Sequence, residues 1–206
     1  MLTSQELTSK SIGEHEVKVG NFTKSYPIAP APADPHTGII FLYDVSDNWH
    51  LAMAVATELC QSIQAAPWFS DIEAVVIPGD GGNMMAGLLF HELKKKNPAL
   101  EICIVRSNTK GEIVRSIEYQ SITSPTKKKL NLRKDQYDRI QGKKVIIFDD
   151  VLSSGSTFRA VKQLLDESGC KVLGYACMAT EGEDVTTFDG AELFKTTHLP
   201  TFKMDY

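Results

Sequence analysis

The chain has 206 residues, 22 Lys and Arg against 26 Asp and Glu, and a formal net charge of −4. That length predicts one domain, at roughly 100–200 residues per domain, and 42% apolar with 23% charged residues is ordinary globular composition. A sequence pI near 5.7 excludes a broad electropositive face, so neither nucleic acid nor an anionic membrane is an expected partner.

Other classes fall away on local grounds. No apolar run reaches the roughly 18–20 residues of a membrane span, and Met1 to Lys24 lacks the apolar stretch of a secretory leader. Cys60, Cys103, Cys170 and Cys177 are too far apart to make a paired metal-ligand motif. They read as reduced, buried thiols, which goes with a cytoplasmic setting.

In chain order, Gly38–Tyr43 reads as a strand. Leu51, Val55, Leu59 and Ile63 then recur every fourth residue, which predicts an amphipathic helix over Trp49–Ile63. Ala74–Ile77 is a short buried strand closed by Pro78-Gly79-Asp80-Gly81-Gly82. Met84, Met85, Leu88, Leu89 and Leu93 fall at helical spacing, and Lys94–Lys96 followed by Asn97-Pro98 ends that helix. Glu101–Arg106 is the next strand. Ser107–Lys144 is long, polar and basic at Lys127–Lys129, with only short strand-like pieces at Ile117–Tyr119 and Leu130–Leu132. It reads as a mobile loop, 107–144.

Val145–Phe148 is apolar enough for the middle of a parallel sheet. Phe158, Val161, Leu164 and Leu165 mark a helix ended by Gly169, and Lys171–Met178 is a further strand. The series predicts an α/β fold, a parallel sheet flanked by helices. The core is expected over 38–179, with a small hood built from both ends, approximately 1–37 and 180–206.

The chemistry concentrates after Val145-Ile146-Ile147-Phe148. Asp149 and Asp150 arrive together at the carboxyl end of a buried strand, where open α/β sheets bind ligands. Ser153, Ser154, Gly155, Ser156 and Thr157 then open a helix. Free backbone N–H groups and small hydroxyls there make a nest for a phosphate. A ligand carrying both vicinal hydroxyls and a phosphate accounts for this pairing. No G-x-x-x-x-G-K-[ST] is present, and Met84 stands where a G-x-G-x-x-G starting at Gly79 needs its last glycine.

Val145 to Thr157 resembles the phosphoribosyl-pyrophosphate (PRPP) signature of the type I phosphoribosyltransferases. Further stretches are similar to the adenine branch of that family: Gly38-Ile39-Ile40-Phe41, Ser116-Ile117-Glu118-Tyr119, Phe188-Asp189-Gly190-Ala191-Glu192 and Leu199-Pro200-Thr201-Phe202. The resemblance implies a purine phosphoribosyltransferase, with adenine favoured, that forms a nucleoside monophosphate and pyrophosphate in purine salvage.

In that reading Asp149 and Asp150 bind the ribose hydroxyls, and Ser153–Thr157 wrap the 5′-phosphate. Gly79, Asp80, Gly81, Arg106 and Lys110 meet the pyrophosphate. Phe41 walls the base, and Glu118 serves as the catalytic group at the base nitrogen. Mg²⁺ is the implied cofactor, with Asp80 reaching it through water; a homodimer is the implied assembly.

The chain departs from the family pattern at Gly82, where an arginine is usual, at Phe41-Leu42-Tyr43-Asp44, which lacks one, and at Ser107, where a lysine is usual. A xanthine or hypoxanthine–guanine enzyme, or a non-catalytic PRPP or nucleotide sensor of the same fold, are the alternatives.

Overall fold

The protein is described by a computed structural model over residues 11–32, 34–45, 47–79, 83–120 and 127–204. Its centre is a six-stranded sheet ordered β10-β11-β9-β8-β4-β5. The strands are β4 (Ala74–Pro78), β5 (Glu101–Val105), β8 (Lys144–Leu152), β9 (Lys171–Glu181), β10 (Thr187–Phe188) and β11 (Ala191–Leu199). All neighbouring pairs are parallel except β10–β11.

Alternate side chains of these strands sort into two cores, as the two-residue strand period demands. Val75, Ile77, Ile146, Phe148, Ala176 and Met178 fall on one face. That face is covered by α1 (Trp49–Gln64) and α2 (Asn83–Lys96). Ala74, Val76, Val145, Ile147, Tyr175 and Cys177 fall on the other. There α3 (Lys134–Ile140) and α4 (Ser156–Leu165) supply Ile140, Phe158, Val161, Leu164 and Leu165.

The helix expected over Trp49–Ile63 is α1, started by Asn48, whose side chain accepts the Leu51 N–H at 3.1 Å. All four cysteines are free. Burial pushes their thiols up, Cys103 to about 12, so none is an activated nucleophile. No helix among the described residues is long and apolar enough to cross a membrane.

Three expectations are corrected. The strand expected at Gly38–Tyr43 is β3 (Asp34–Ile40), which lies in a separate antiparallel sheet ordered β1-β2-β3-β12. Its partners are β1 (Gly13–Val19), β2 (Phe22–Ala31) and β12 (Phe202–Lys203). The hood therefore extends through residue 40, beyond 37. Prolines at 27 and 30 hid β2 from a propensity reading, and the ladder irregularity between Pro30 and Ala31 is how the strand accommodates one of them.

At the other end, β11 pairs parallel with β9. Residues 191–199 thus belong to the core sheet, and only Phe202–Lys203 joins the hood by pairing with β3. The stretch Phe188–Glu192 is a tight turn between β10 and β11, with Asp189 at φ 49° and Gly190 at φ 78°. It lies on the edge of the core sheet instead of in the hood.

The third correction concerns 107–144. It holds a β-hairpin, β6 (Ile113–Gln120) with β7 (Lys127–Arg133), followed directly by α3. Ile117, Tyr119, Leu130 and Leu132 turn toward the second core, which is the physical reason this polar segment orders. Asn131 is buried and ties it down. The Asn131 N–H donates to the Arg106 carbonyl at 3.0 Å, and Nδ2 donates to the Ser107 carbonyl at 2.5 Å. Oδ1 accepts from the Ser116 hydroxyl at 2.6 Å.

Asn131→Ala is expected to destabilise the protein by about 1–3 kcal/mol, because the partners left behind lose bonds inside a dry contact. A shift of the urea unfolding midpoint measures this. An unchanged midpoint would mean the hairpin is held by its apolar face alone.

Candidate functional site

β8 runs four residues past the apolar segment that identified it, through Asp149 and Asp150 to Leu152. The two carboxylates are oriented by the strand itself. Asp149 Oδ1 accepts the Asp150 N–H at 2.9 Å, and Asp150 Oδ1 accepts the Val151 N–H at 2.8 Å. Burial, then the adjacent Asp150 carboxylate, hold the Asp149 carboxyl well above the ordinary range, and the charge of Lys128 opposes them.

Beyond Leu152 the chain turns through Ser153–Gly155 into α4. Gly155 occupies the cap position in the left-handed region, φ 73°, and no side chain caps the helix. Ser154 Oγ lies 3.2 Å from Ser156 Oγ and 3.3 Å from the Ser156 nitrogen. The Ser154 carbonyl accepts from Arg159 Nη1 at 2.8 Å.

The glycine is required twice over. Its φ favours glycine, and an added Cβ would stand 2.3 Å from Phe188 Cε2 and 2.6 Å from Cζ. Phe188 is itself wedged against Phe158 and Tyr175, with ring centroids 5.5 and 5.0 Å away. The result is a helix N-terminus without a side-chain cap, set against an aromatic cluster, with Gly155, Ser156 and Thr157 lining the cavity.

That cavity has a volume of about 350 Å³. One wall is the Asp149–Thr157 run. The opposite wall is apolar and comes from the hood, with Pro30, Ile39, Ile40, Phe41 and Leu42, and from Leu199. Pro78 closes one side, and Tyr119 and Lys128 reach in from the hairpin. Glu181, last residue of β9, completes the lining.

The structure thus brings Phe41, Asp149, Asp150 and Ser153–Thr157 into one space. Glu118 is not among the lining residues: it is exposed, one position before the cavity-lining Tyr119 on the alternating strand. Arg106 is exposed just past β5 and Lys110 is exposed further along, both outside the lining. Arg106 lies flat against Gly79, where a Cβ would meet its Cγ at 2.2 Å. The Gly79 N–H donates to the Val105 carbonyl at 2.7 Å, so what this glycine supplies is room for Arg106. Asp80, Gly81 and Gly82 lie outside the described residues.

Sequence reasoning missed two charged lining residues. Lys128 read as one of three solvated lysines, and only its pairing opposite Tyr119 brings it inward. Glu181 had a readable signal: it ends a long apolar strand, as the Asp149–Asp150 pair interrupts the end of its own. Burial pushes its carboxyl up.

Among the described residues the lining holds three carboxylates and one lysine. Such a cavity takes a polyanion only together with a hard cation. Paired carboxylate oxygens are the donor type Mg²⁺ accepts, usually one or two at a time beside substrate phosphates. No group of three His, Cys, Asp or Glu able to hold a metal alone occurs among the described residues. The donor set therefore fits a metal carried in with its substrate.

Comparison with known proteins places this geometry. Residues 45–190 match the family model described as the phosphoribosyl transferase domain. A curated relative, the adenine phosphoribosyltransferase of Petrotoga mobilis, is 33% identical over 110 residues. That match covers 53% of this chain and only 58% of the relative. The adenine phosphoribosyltransferase of Corynebacterium jeikeium is 25% identical over 183 residues, covering 86% and 72%. Among solved structures, adenine phosphoribosyltransferase from Trypanosoma brucei, in complex with AMP, pyrophosphate and ribose-5-phosphate, superimposes with a TM-score of 0.61. Its identity is 16%, over 82% of this chain and 74% of that one.

Proposed function

Because the chain belongs to the phosphoribosyl transferase domain family, we propose that it transfers the 5-phosphoribosyl group of PRPP to a purine base, adenine foremost. The products are the nucleoside monophosphate and pyrophosphate. One observation carries this reading: two adjacent aspartates and a helix N-terminus without a side-chain cap share a single cavity with an apolar wall that includes Phe41. The Trypanosoma brucei neighbour holds AMP, pyrophosphate and ribose-5-phosphate, the ligand set this cavity suits.

In the proposed mechanism Asp149 and Asp150 accept the ribose 2′ and 3′ hydroxyls, their oxygens already aimed by the Asp150 and Val151 amides. The 5′-phosphate sits on the N–H groups and hydroxyls of Ser153–Thr157. The base lies against Phe41, Ile39 and Leu199, a dry wall that keeps water from the sugar. Held in line, the purine nitrogen forms its bond to C1′ as the C1′–O bond to pyrophosphate breaks, through an oxocarbenium-like state.

The proton of that nitrogen passes to Glu118. Since Glu118 lies on the strand face away from the cavity, this role requires the β6–β7 hairpin to shift over the site. Arg106, held over Gly79, and Lys110 meet the pyrophosphate, with Asp80 and Gly81 of the adjoining loop. Asp80 is the residue that would hold Mg²⁺ through water, and the ion would supply charge neutralisation at the leaving pyrophosphate.

The test is pyrophosphate release on mixing the protein with Mg²⁺, PRPP and adenine, hypoxanthine, guanine or xanthine in turn. Release is expected with adenine most rapidly and is lost when the metal is chelated. PRPP binding without release from any base would make the protein a sensor and refute the enzymatic reading.

A further inference from the structure

The apolar lining of the cavity offers a base only carbon. Pro30, Ile39, Ile40, Phe41, Leu42 and Leu199 carry no side-chain hydrogen-bonding group. Glu181 stands among them at the end of β9, paired in register with Leu199, while the preceding Thr180 pairs with Leu152 beside the phosphate nest. No described side chain donates to its carboxyl, so its acceptor oxygens are left for a ligand.

We propose that Glu181 reads the base, accepting an N–H from the exocyclic amine of a 6-aminopurine. This rests on the transferase reading for its substrate class. A carboxyl keeps an acceptor oxygen in either protonation state, so the amine is recognised in both. Burial pushes the Glu181 carboxyl toward its neutral form, which adds an O–H for purine N1 beside the acceptor for the amine.

Calorimetric binding of product nucleotides to the full chain tests this without requiring turnover. AMP and purine riboside 5′-monophosphate are titrated into the wild type, Glu181→Leu and Glu181→Gln. The wild type is expected to bind AMP at least about tenfold more tightly than the nucleotide lacking the amine, the worth of one hydrogen bond in a desolvated site. Glu181→Leu erases that ratio, and Glu181→Gln, whose amide oxygen accepts the same N–H, keeps it.

Equal wild-type affinities for AMP and the nucleotide lacking the amine, or a ratio that survives in Glu181→Leu, would overturn the proposal. The wild-type comparison decides the matter even if the leucine variant fails to fold. Failure of the transferase reading shows separately, as absent pyrophosphate release with the AMP preference intact.

Discussion

Gly155→Ala is expected to destabilise the protein by about 2–5 kcal/mol and to weaken PRPP binding by at least about tenfold. Two penalties combine. A side chain in the left-handed region costs roughly 1–2 kcal/mol, and Gly155 sits there at φ 73°. Forcing an extra carbon into packed surroundings costs roughly 1–3 kcal/mol more. Here the obstruction is the Phe188 ring, 2.3 Å from the added atom and braced by Phe158 and Tyr175.

Relief by rotation of the loop would turn the Ser156 and Thr157 amides away from the phosphate. A double-mutant cycle with Phe188→Ala separates the two terms. The paired variant should be less unstable than the sum of the singles by about 1–3 kcal/mol, since the ring that obstructs is gone. Urea unfolding gives these values, and additive penalties would mean the two residues do not meet.

Asp149→Asn acts in opposite directions on stability and on binding. Buried beside Asp150 and opposed by Lys128, the wild-type carboxyl is held well above its ordinary value near 3.8. A carboxyl raised by folding contributes stability that is fully present below the unfolded value and is lost as pH rises through the folded one. The asparagine, which does not titrate, should therefore leave the free protein more stable than wild type near neutral pH. The gap should widen as pH climbs from about 4, with each kcal/mol shifting the thermal midpoint by roughly 2–4 °C in a chain of this size.

The same substitution replaces one carboxyl oxygen open to a sugar hydroxyl with an amide NH2 that cannot accept, and PRPP affinity should fall at least about tenfold. Thermal scans at several pH values and a PRPP titration report both effects. A variant that is less stable at neutral pH would show that the carboxylate is better compensated than its surroundings indicate.

How much was legible from residues follows a physical division. The β8–α4 unit was readable because strand apolarity, the acid pair and the helix opening are consecutive, so local chemistry defines it. The helices α1 and α2 and the strands β4, β5 and β9 were readable by periodicity alone. β2 was not, because Pro27 and Pro30 argue against a strand that long-range pairing nevertheless builds. The β6–β7 hairpin was hidden because only half its residues face a core, and that core is supplied by α4 and the sheet far away in sequence.

The site divides in the same way. Asp149, Asp150 and Ser153–Thr157 are neighbours in the chain and were found together. Phe41 was found through its resemblance to a known motif. Lys128 lines the cavity through its pairing with Tyr119, and Glu181 from the end of a strand paired with Leu199, placements that depend on strand register more than on local chemistry.

The central claim is that one cavity takes ribose on the acid pair and a 5′-phosphate on the nest. A crystal structure of the protein with Mg²⁺ and PRPP tests it most directly. The account predicts the ribose 2′ and 3′ oxygens within hydrogen-bonding distance of Asp149 and Asp150, and the 5′-phosphate on the Ser153–Thr157 turn. PRPP bound elsewhere, or bound here with its phosphate away from that turn, would contradict it.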